Sequence, residues 1–144
     1  MKRAFLPLAI ATVAMVLAPP AFGSAAPTPS QVVKDLDVTS FPNSLRPQSR
    51  PGARTFAQHG FTQVVPTEGE AGSVDVHPPD HAWLFRITVL GSEGDNVTVC
   101  ILDEALNGGT YLTQAPLELQ RRGDGLLHAT DRVVSDPRCG QYER

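Results

Sequence analysis

Residues 82–102 read AWLFRITVLGSEGDNVTVCIL, and this stretch decides the fold. Trp83, Phe85, Ile87 and Val89 fall on one side of an alternating run, with Arg86 and Thr88 on the other. A period of two is that of a strand with one face buried. Gly91–Asn96 is a polar, turn-forming loop. The chain then alternates again, with Val97, Val99 and Ile101 on one face and Thr98, Cys100 and Leu102 on the opposite one. Two alternating runs joined by a Gly/Asp/Asn loop predict an antiparallel hairpin.

The same grammar extends outward in both directions. Upstream, Phe61–Val65 is a short β-branched run stopped by Pro66, and Val74–Val76 returns after the Gly69–Ser73 turn. His77-Pro78-Pro79-Asp80 is a stiff, extended break. Downstream, Asp103–Thr110 reads as a turn region, because Asn107-Gly108-Gly109 tolerates positive φ. Tyr111–Thr113 and Leu117–Arg121 are strand pieces on either side of Pro116. Gly123-Asp124-Gly125 is a second tight turn, and Leu126–Val134 returns from it. Helix signal is weak: Ser30 is placed to cap a two-turn helix over Gln31–Leu36. The expectation is a mainly β fold, with α+β as the alternative. It is a curved antiparallel sheet or partly open barrel with one or two short helices.

The chain divides by composition. Lys2 and Arg3 precede an uncharged apolar run, Ala4–Ala18, which Pro19-Pro20 breaks before small residues at Ala21, Gly23, Ser24 and Ala25. That order is the plan of a secretory signal peptide, expected over 1–23, and the run is too short to span a bilayer. Residues 24–54 carry Pro27, Pro29, Pro42, Pro47 and Pro51 and read as a proline-rich arm, which Phe41, Leu45 and Phe56 are placed to pin to the body. Residues 55–144 are expected to form one β-rich domain.

Loss of Lys2 and Arg3 from the 12 bases leaves 10 against 15 acids, a net charge of −5. An acidic body argues against non-specific nucleic-acid binding. The two cysteines, Cys100 and Cys139, are expected to form one disulfide in an oxidising compartment, stabilising the fold by roughly 4 kcal/mol. No later segment is apolar enough for a membrane span. The expected location is therefore extracytoplasmic, periplasmic or secreted.

Residues 82–139, with the strand Gly94-Asp95-Asn96-Val97-Thr98-Val99-Cys100, a strand ending at Arg121-Arg122-Gly123-Asp124-Gly125 and a late Cys139, resemble the secreted NTF2-like domains of bacteria. The resemblance implies a curved sheet with helices on its concave side and a pocket-bearing or accessory role. It carries no catalytic residue to this chain. Leu126 and Leu127 stand where such domains place an aromatic, and the proline-rich arm lacks their long helices.

Chemistry-bearing clusters are few. His77 and His81 with Asp80 have ligand types suited to zinc or copper, but Pro78-Pro79 stiffens the backbone between them, and a solvated loop is the preferred reading, with no metal assigned. Asp103, Glu104 and His128 are candidates for acid–base work. Trp83 is the single tryptophan and, with Phe85, is expected either in the core or lining a ligand groove. Arg46, Arg50 and Arg54 are read as a solvated linker, with docking on an acidic partner or membrane surface as the rival. Asn96-Val97-Thr98 is a formal glycosylation sequon. No nucleophile elbow, phosphate-cradling loop or cofactor motif is present, which favours a non-enzymatic role.

Three functions are carried forward. The first is an exported binding protein, an inhibitor or immunity-type partner of another protein, using the loops Gly91–Asn96 and Asp103–Thr110. The second is a small-ligand carrier or sensor with a cavity between sheet and arm, lined by Trp83 and Phe85. The third is a small hydrolase using Asp103, Glu104 or His128.

Overall fold

The computed structural model describes residues 26–48 and 50–144. The expected signal peptide, 1–23, lies outside the described residues. Along the chain come α1 (Pro29–Asp35), β1 (Leu36–Asp37), two 3₁₀ turns (Val38–Ser40 and Asn43–Leu45), β2 (Gln63–Pro66), β3 (Ser73–His77), β4 (Trp83–Glu93), β5 (Asn96–Ala105), β6 (Leu112–Arg121), β7 (Leu127–Ala129) and β8 (Tyr142–Glu143). The strands form one sheet in the order β1-β7-β6-β5-β4-β3-β2, with β8 also paired to β6. The sheet curls strongly into a half-barrel, so the mainly β expectation holds.

The β4–β5 hairpin is the axis of the sheet, but its loop is smaller than the sequence implies. Pairing runs to Glu93↔Asn96, leaving Gly94-Asp95 as a two-residue turn with Gly94 at φ 58°. The register shifts between Val89 and Gly91, a bulge that adds to the curl. At the other end β5 runs on through Asp103 to Ala105, where the sequence reads a turn. β6 is continuous through Pro116, which the sequence reads as a break. Its flank opposite β5 pairs with β8 at Thr113–Gln114 and with β7 at Leu119–Arg121. Pro116 lies between the two, where no ladder needs its missing N–H. β7 ends at Ala129, well short of Val134, and Val133 is 94% exposed.

The helix also starts earlier than Ser30. Thr28 is the N-cap, Gln31 N–H donates to its Oγ1 (3.3 Å), and Gln31 Oε1 accepts from Thr28 N–H (2.8 Å). This capping box, with Pro29 in the first turn, outcompetes a serine cap two residues later. α1 presses Val32 and Val33 onto the concave face of the sheet, and Leu36 follows them into the core. Phe41, Leu45 and Phe56 are each 1% exposed in the same cluster as Val76, Phe85, Ile87, Val99, Ile101 and Leu119. The proline-rich segment therefore forms the lid of the core. On the outer face Cys100 bonds Cys139, with Cα atoms 5.5 Å apart, and ties down the C-terminal tail.

α1 covers only part of the sheet. Seven helical residues span about 10 Å, against about 36 Å for the eleven residues of β4. β1 holds the lid at the hairpin-turn end, through Leu36↔Leu127 beside the Asn96 end of β6. The opposite end, around Trp83 and Ala105, is roofed by irregular chain, residues 46–48 and 50–62.

Candidate functional site

Under that irregular roof lies a cavity of about 830 Å³. Register places its sheet wall: Phe85 pairs with Asp103 and Trp83 with Ala105, all on the face that carries Ile87, Val99 and Ile101 deeper in the core. The roof contributes His59, Phe61, Arg46 and Arg50, and Tyr111 closes one side. The wall is aromatic. Trp83 and Tyr111 lie with ring centroids 5.5 Å apart, and Phe61 meets Phe85 edge-on at 5.1 Å.

Asp103 occupies a position in this row that alternation otherwise fills with Val97, Val99 and Ile101. It is 2% exposed. Trp83 Nε1–H donates to its Oδ1. Burial pushes the Asp103 carboxyl up to about 6, against the opposing pull of the Trp83 N–H and the nearby Tyr111 hydroxyl. That hydroxyl donates to the Ser44 carbonyl and so ties the sheet to the lid. Burial likewise raises the Tyr111 hydroxyl.

The roof is held from several points. His59 Nδ1–H donates to the Gln48 carbonyl (3.1 Å), which fixes Nε2 as the acceptor of the neutral ring. That Nε2 is buried without a partner among the described residues. Arg46 donates to the Phe41 carbonyl (3.0 Å). The Arg50 guanidinium lies beside Gly60, whose φ of 92° is what calls for glycine there. Arg54 donates to Asp37 Oδ2 from Nε (2.9 Å) and Nη2 (2.5 Å), and from Nη2 to Asp124 (2.6 Å). The three arginines read as a solvated linker are therefore laid against the body, because the segment that carries them is the lid of the core.

The sequence candidates separate. Trp83 and Phe85 both line the cavity. Asp103 and Glu104 sit on opposite faces of β5, and Glu104 pairs with Leu84 on the outer side. His128 aligns with Gln120 of β6, while Asp103 aligns with Thr113 seven residues away, so the two lie roughly 23 Å apart along the strand. Asp103, Glu104 and His128 do not converge on one substrate. His128 instead meets Asp124 (Nε2 to Oδ2, 3.0 Å) and Asp37 (3.7 Å). Asp37, Asp124 and His128 have the spacing of a metal-ligand group, but the Arg54 guanidinium bonds both carboxylates and supplies the positive charge there. Burial raises the Asp37 carboxyl, and hydrogen bonds from Thr39 and Arg54 more than offset it, so it lies below its ordinary value.

His77 and His81 stack at 5.0 Å, and His77 Nδ1 bonds the Trp83 carbonyl (3.1 Å). Asp80 turns back to accept from Ala82 N–H (3.1 Å) instead of joining them. His59, Tyr111 and Phe61 carry no sequence signal for the site, and Arg46 and Arg50 stand out only as recurring arginines of the arm, since each lies in irregular chain or at a strand approach. The chain matches no family model, no curated protein and no solved structure.

Proposed function

We propose that this protein is an exported carrier or sensor that holds a small, largely apolar ligand in the cavity between the sheet and the 46–62 roof. One observation carries the reading: an aromatic-walled space of about 830 Å³ with a buried carboxylate at its wall. Small-molecule sites are typically roughly 300–1,000 Å³, apolar in the main, with a few convergent polar groups. The pocket-bearing role implied by the likeness to secreted NTF2-like domains agrees with it. Export is supported by the Cys100–Cys139 disulfide, which fits an oxidising compartment. No described helix is long and apolar enough to cross a membrane.

The protein-partner reading rests on two loops. Gly91–Asn96 is reduced to a two-residue turn and Asp103–Ala105 is drawn into β5, so both loops are shorter than that reading needs. The hydrolase reading has no pair of its three candidates within reach of one bond.

Trp83 is the only tryptophan and lines the cavity, so its emission reports occupancy. A panel of aromatic acids, fatty acids, sterols and quinones is titrated against the oxidised protein and against Ala82→Phe, which fills the cavity mouth. Expected is saturable change in Trp83 emission for at least one class, abolished in Ala82→Phe with the β-sheet circular dichroism intact. A panel that leaves the emission untouched overturns the reading.

A further inference from the structure

Two buried side-chain polar atoms lack a hydrogen-bond partner among the described residues, His59 Nε2 and Thr113 Oγ1. Buried polar atoms are nearly always satisfied, so each exception needs a cause. Both lie at this end of the half-barrel: His59 lines the cavity, and Thr113, outside its lining, pairs across the ladder with Asp103. The Asp103 carboxylate, buried at the cavity wall, adds a strong acceptor beside them. His59 Nε2 in the neutral ring and Asp103 Oδ2 are both acceptors, while the Thr113 hydroxyl serves either way. The inner wall therefore asks for a hydrogen-bond donor.

The roof asks for the opposite. Arg46 and Arg50 line the cavity, are exposed, and form no ion pair with a carboxylate among the described residues. Arg46 is held by the Phe41 carbonyl, and the Arg50 guanidinium lies beside Gly60 at the same rim. Asp80, also at the rim, has its Oδ1 engaged by Ala82 N–H. Two guanidinium groups against one carboxylate favour an oxyanion, which arginine takes in a planar, forked geometry.

We propose that the ligand is two-ended: a ring-bearing organic acid whose carboxylate meets Arg46 and Arg50 and whose far end offers a hydroxyl or N–H to Asp103. This rests on the cavity-binding reading above and adds the ligand's polarity and direction. An apolar molecule lacking both ends fills the same space but leaves the donor-seeking wall and the arginines unanswered. A cationic ligand satisfies Asp103 and is opposed by the arginines at the roof.

The test uses four probes of one shape: 4′-hydroxybiphenyl-4-carboxylate, biphenyl-4-carboxylate, 4-hydroxybiphenyl and biphenyl. Kd is read from Trp83 emission and calorimetry on the oxidised protein, Asp103→Leu and Arg46→Gln/Arg50→Gln. Loss of either polar end is expected to weaken binding about tenfold, the scale of one hydrogen bond to a charged group. In Asp103→Leu the hydroxyl loses its advantage and the carboxylate keeps it, and in the double arginine variant the reverse holds. Leu at 103 removes a buried charge but also the acceptor of the Trp83 N–H, so circular dichroism checks its fold, and Asp103→Asn, which keeps that acceptor, is titrated beside it. Biphenyl binding as tightly as the hydroxy acid, or variants that shift all four probes equally, overturns the two-ended ligand and leaves the cavity reading standing. No binding by any of the four, together with a silent broader panel, overturns both.

Discussion

Replacing Asp103 by asparagine should stabilise the protein at neutral pH, by an amount that depends on pH in one direction only. The folded carboxyl titrates at about 6, against 3.8 for the ordinary group. The folded state therefore binds the proton more tightly than the unfolded chain. Its contribution to stability is fully present below pH 3.8 and is lost as pH rises through about 6. A shift of about 2 units corresponds to about 3 kcal/mol, a sizeable part of the 5–15 kcal/mol that holds a small domain together. This figure already includes the stronger bond that the ionised group accepts from Trp83, because that bond acts on the shift. Asparagine mimics the neutral form and keeps an oxygen for Trp83 Nε1. Urea unfolding of the oxidised parent and Asp103→Asn at pH 4, 5, 6 and 7.5 reads the effect. The midpoint of the variant should exceed the parent's by about 1–3 M at pH 7.5, with slopes typical of small domains, and the gap should close toward pH 4. Other carboxylates titrate alike in both proteins and cancel. A gap that stays constant across this range, or one that opens toward acid, refutes the buried, unpaired carboxylate.

Phe56 is 1% exposed and meets Phe41, Phe61 and Phe85 at centroid separations of 6.3, 5.9 and 5.0 Å, so Phe56→Ala should cost about 3–5 kcal/mol in denaturant unfolding and loosen the cavity roof with the core. Reduction of Cys100–Cys139, or Cys100→Ala/Cys139→Ala, should lower stability by up to about 4 kcal/mol and release the tail, seen as fast amide exchange over Tyr142–Glu143. Arg54→Gln should destabilise at pH 7, since it removes the partner of Asp37, whose depressed folded value contributes stability above the ordinary carboxylate range; the deficit should shrink as pH falls below that range, measured by thermal melts.

The sheet was legible because its strands alternate. Trp83–Val89 and Val97–Ile101 present one buried face each, and period two admits no other element at that length. Where reading failed, a local signal had been given more weight than the ladder around it. Pro116 breaks a central strand only if both flanks are paired, and here one is open between β7 and β8. Leu126–Val134 has strand composition, yet backbone pairing to β6 ends with Thr130 N–H on the Glu118 carbonyl, and Val133 is left in solvent. Prolines marked residues 24–54 as an arm, but Val32, Leu36, Val38, Phe41 and Leu45 at irregular spacing close the core, and no periodicity reveals packing by a segment without regular structure. Half the site was open to the same logic. Extending the alternation Val97-Val99-Ile101 by two residues lands on Asp103, a carboxylate in a core-facing position, and treating Asp103–Thr110 as a turn hid it. The other half, His59, Arg46 and Arg50, depends on how an irregular loop folds across the sheet.

Folding alone does not account for the chemistry gathered at that end of the half-barrel. A leucine at 103 would continue the apolar row and avoid the loss of about 3 kcal/mol above pH 6. A longer helix in place of the 46–62 segment would close the space and bury more apolar surface. Instead the chain places an ionisable group among four aromatic side chains. It leaves His59 Nε2 and Thr113 Oγ1 without partners among the described residues, and it roofs the space with two arginines. Each of these costs stability or contributes none, and they share one location. Stability given up at a single site, with donors on one side of it and acceptors on the other, is what a binding site requires and a core does not.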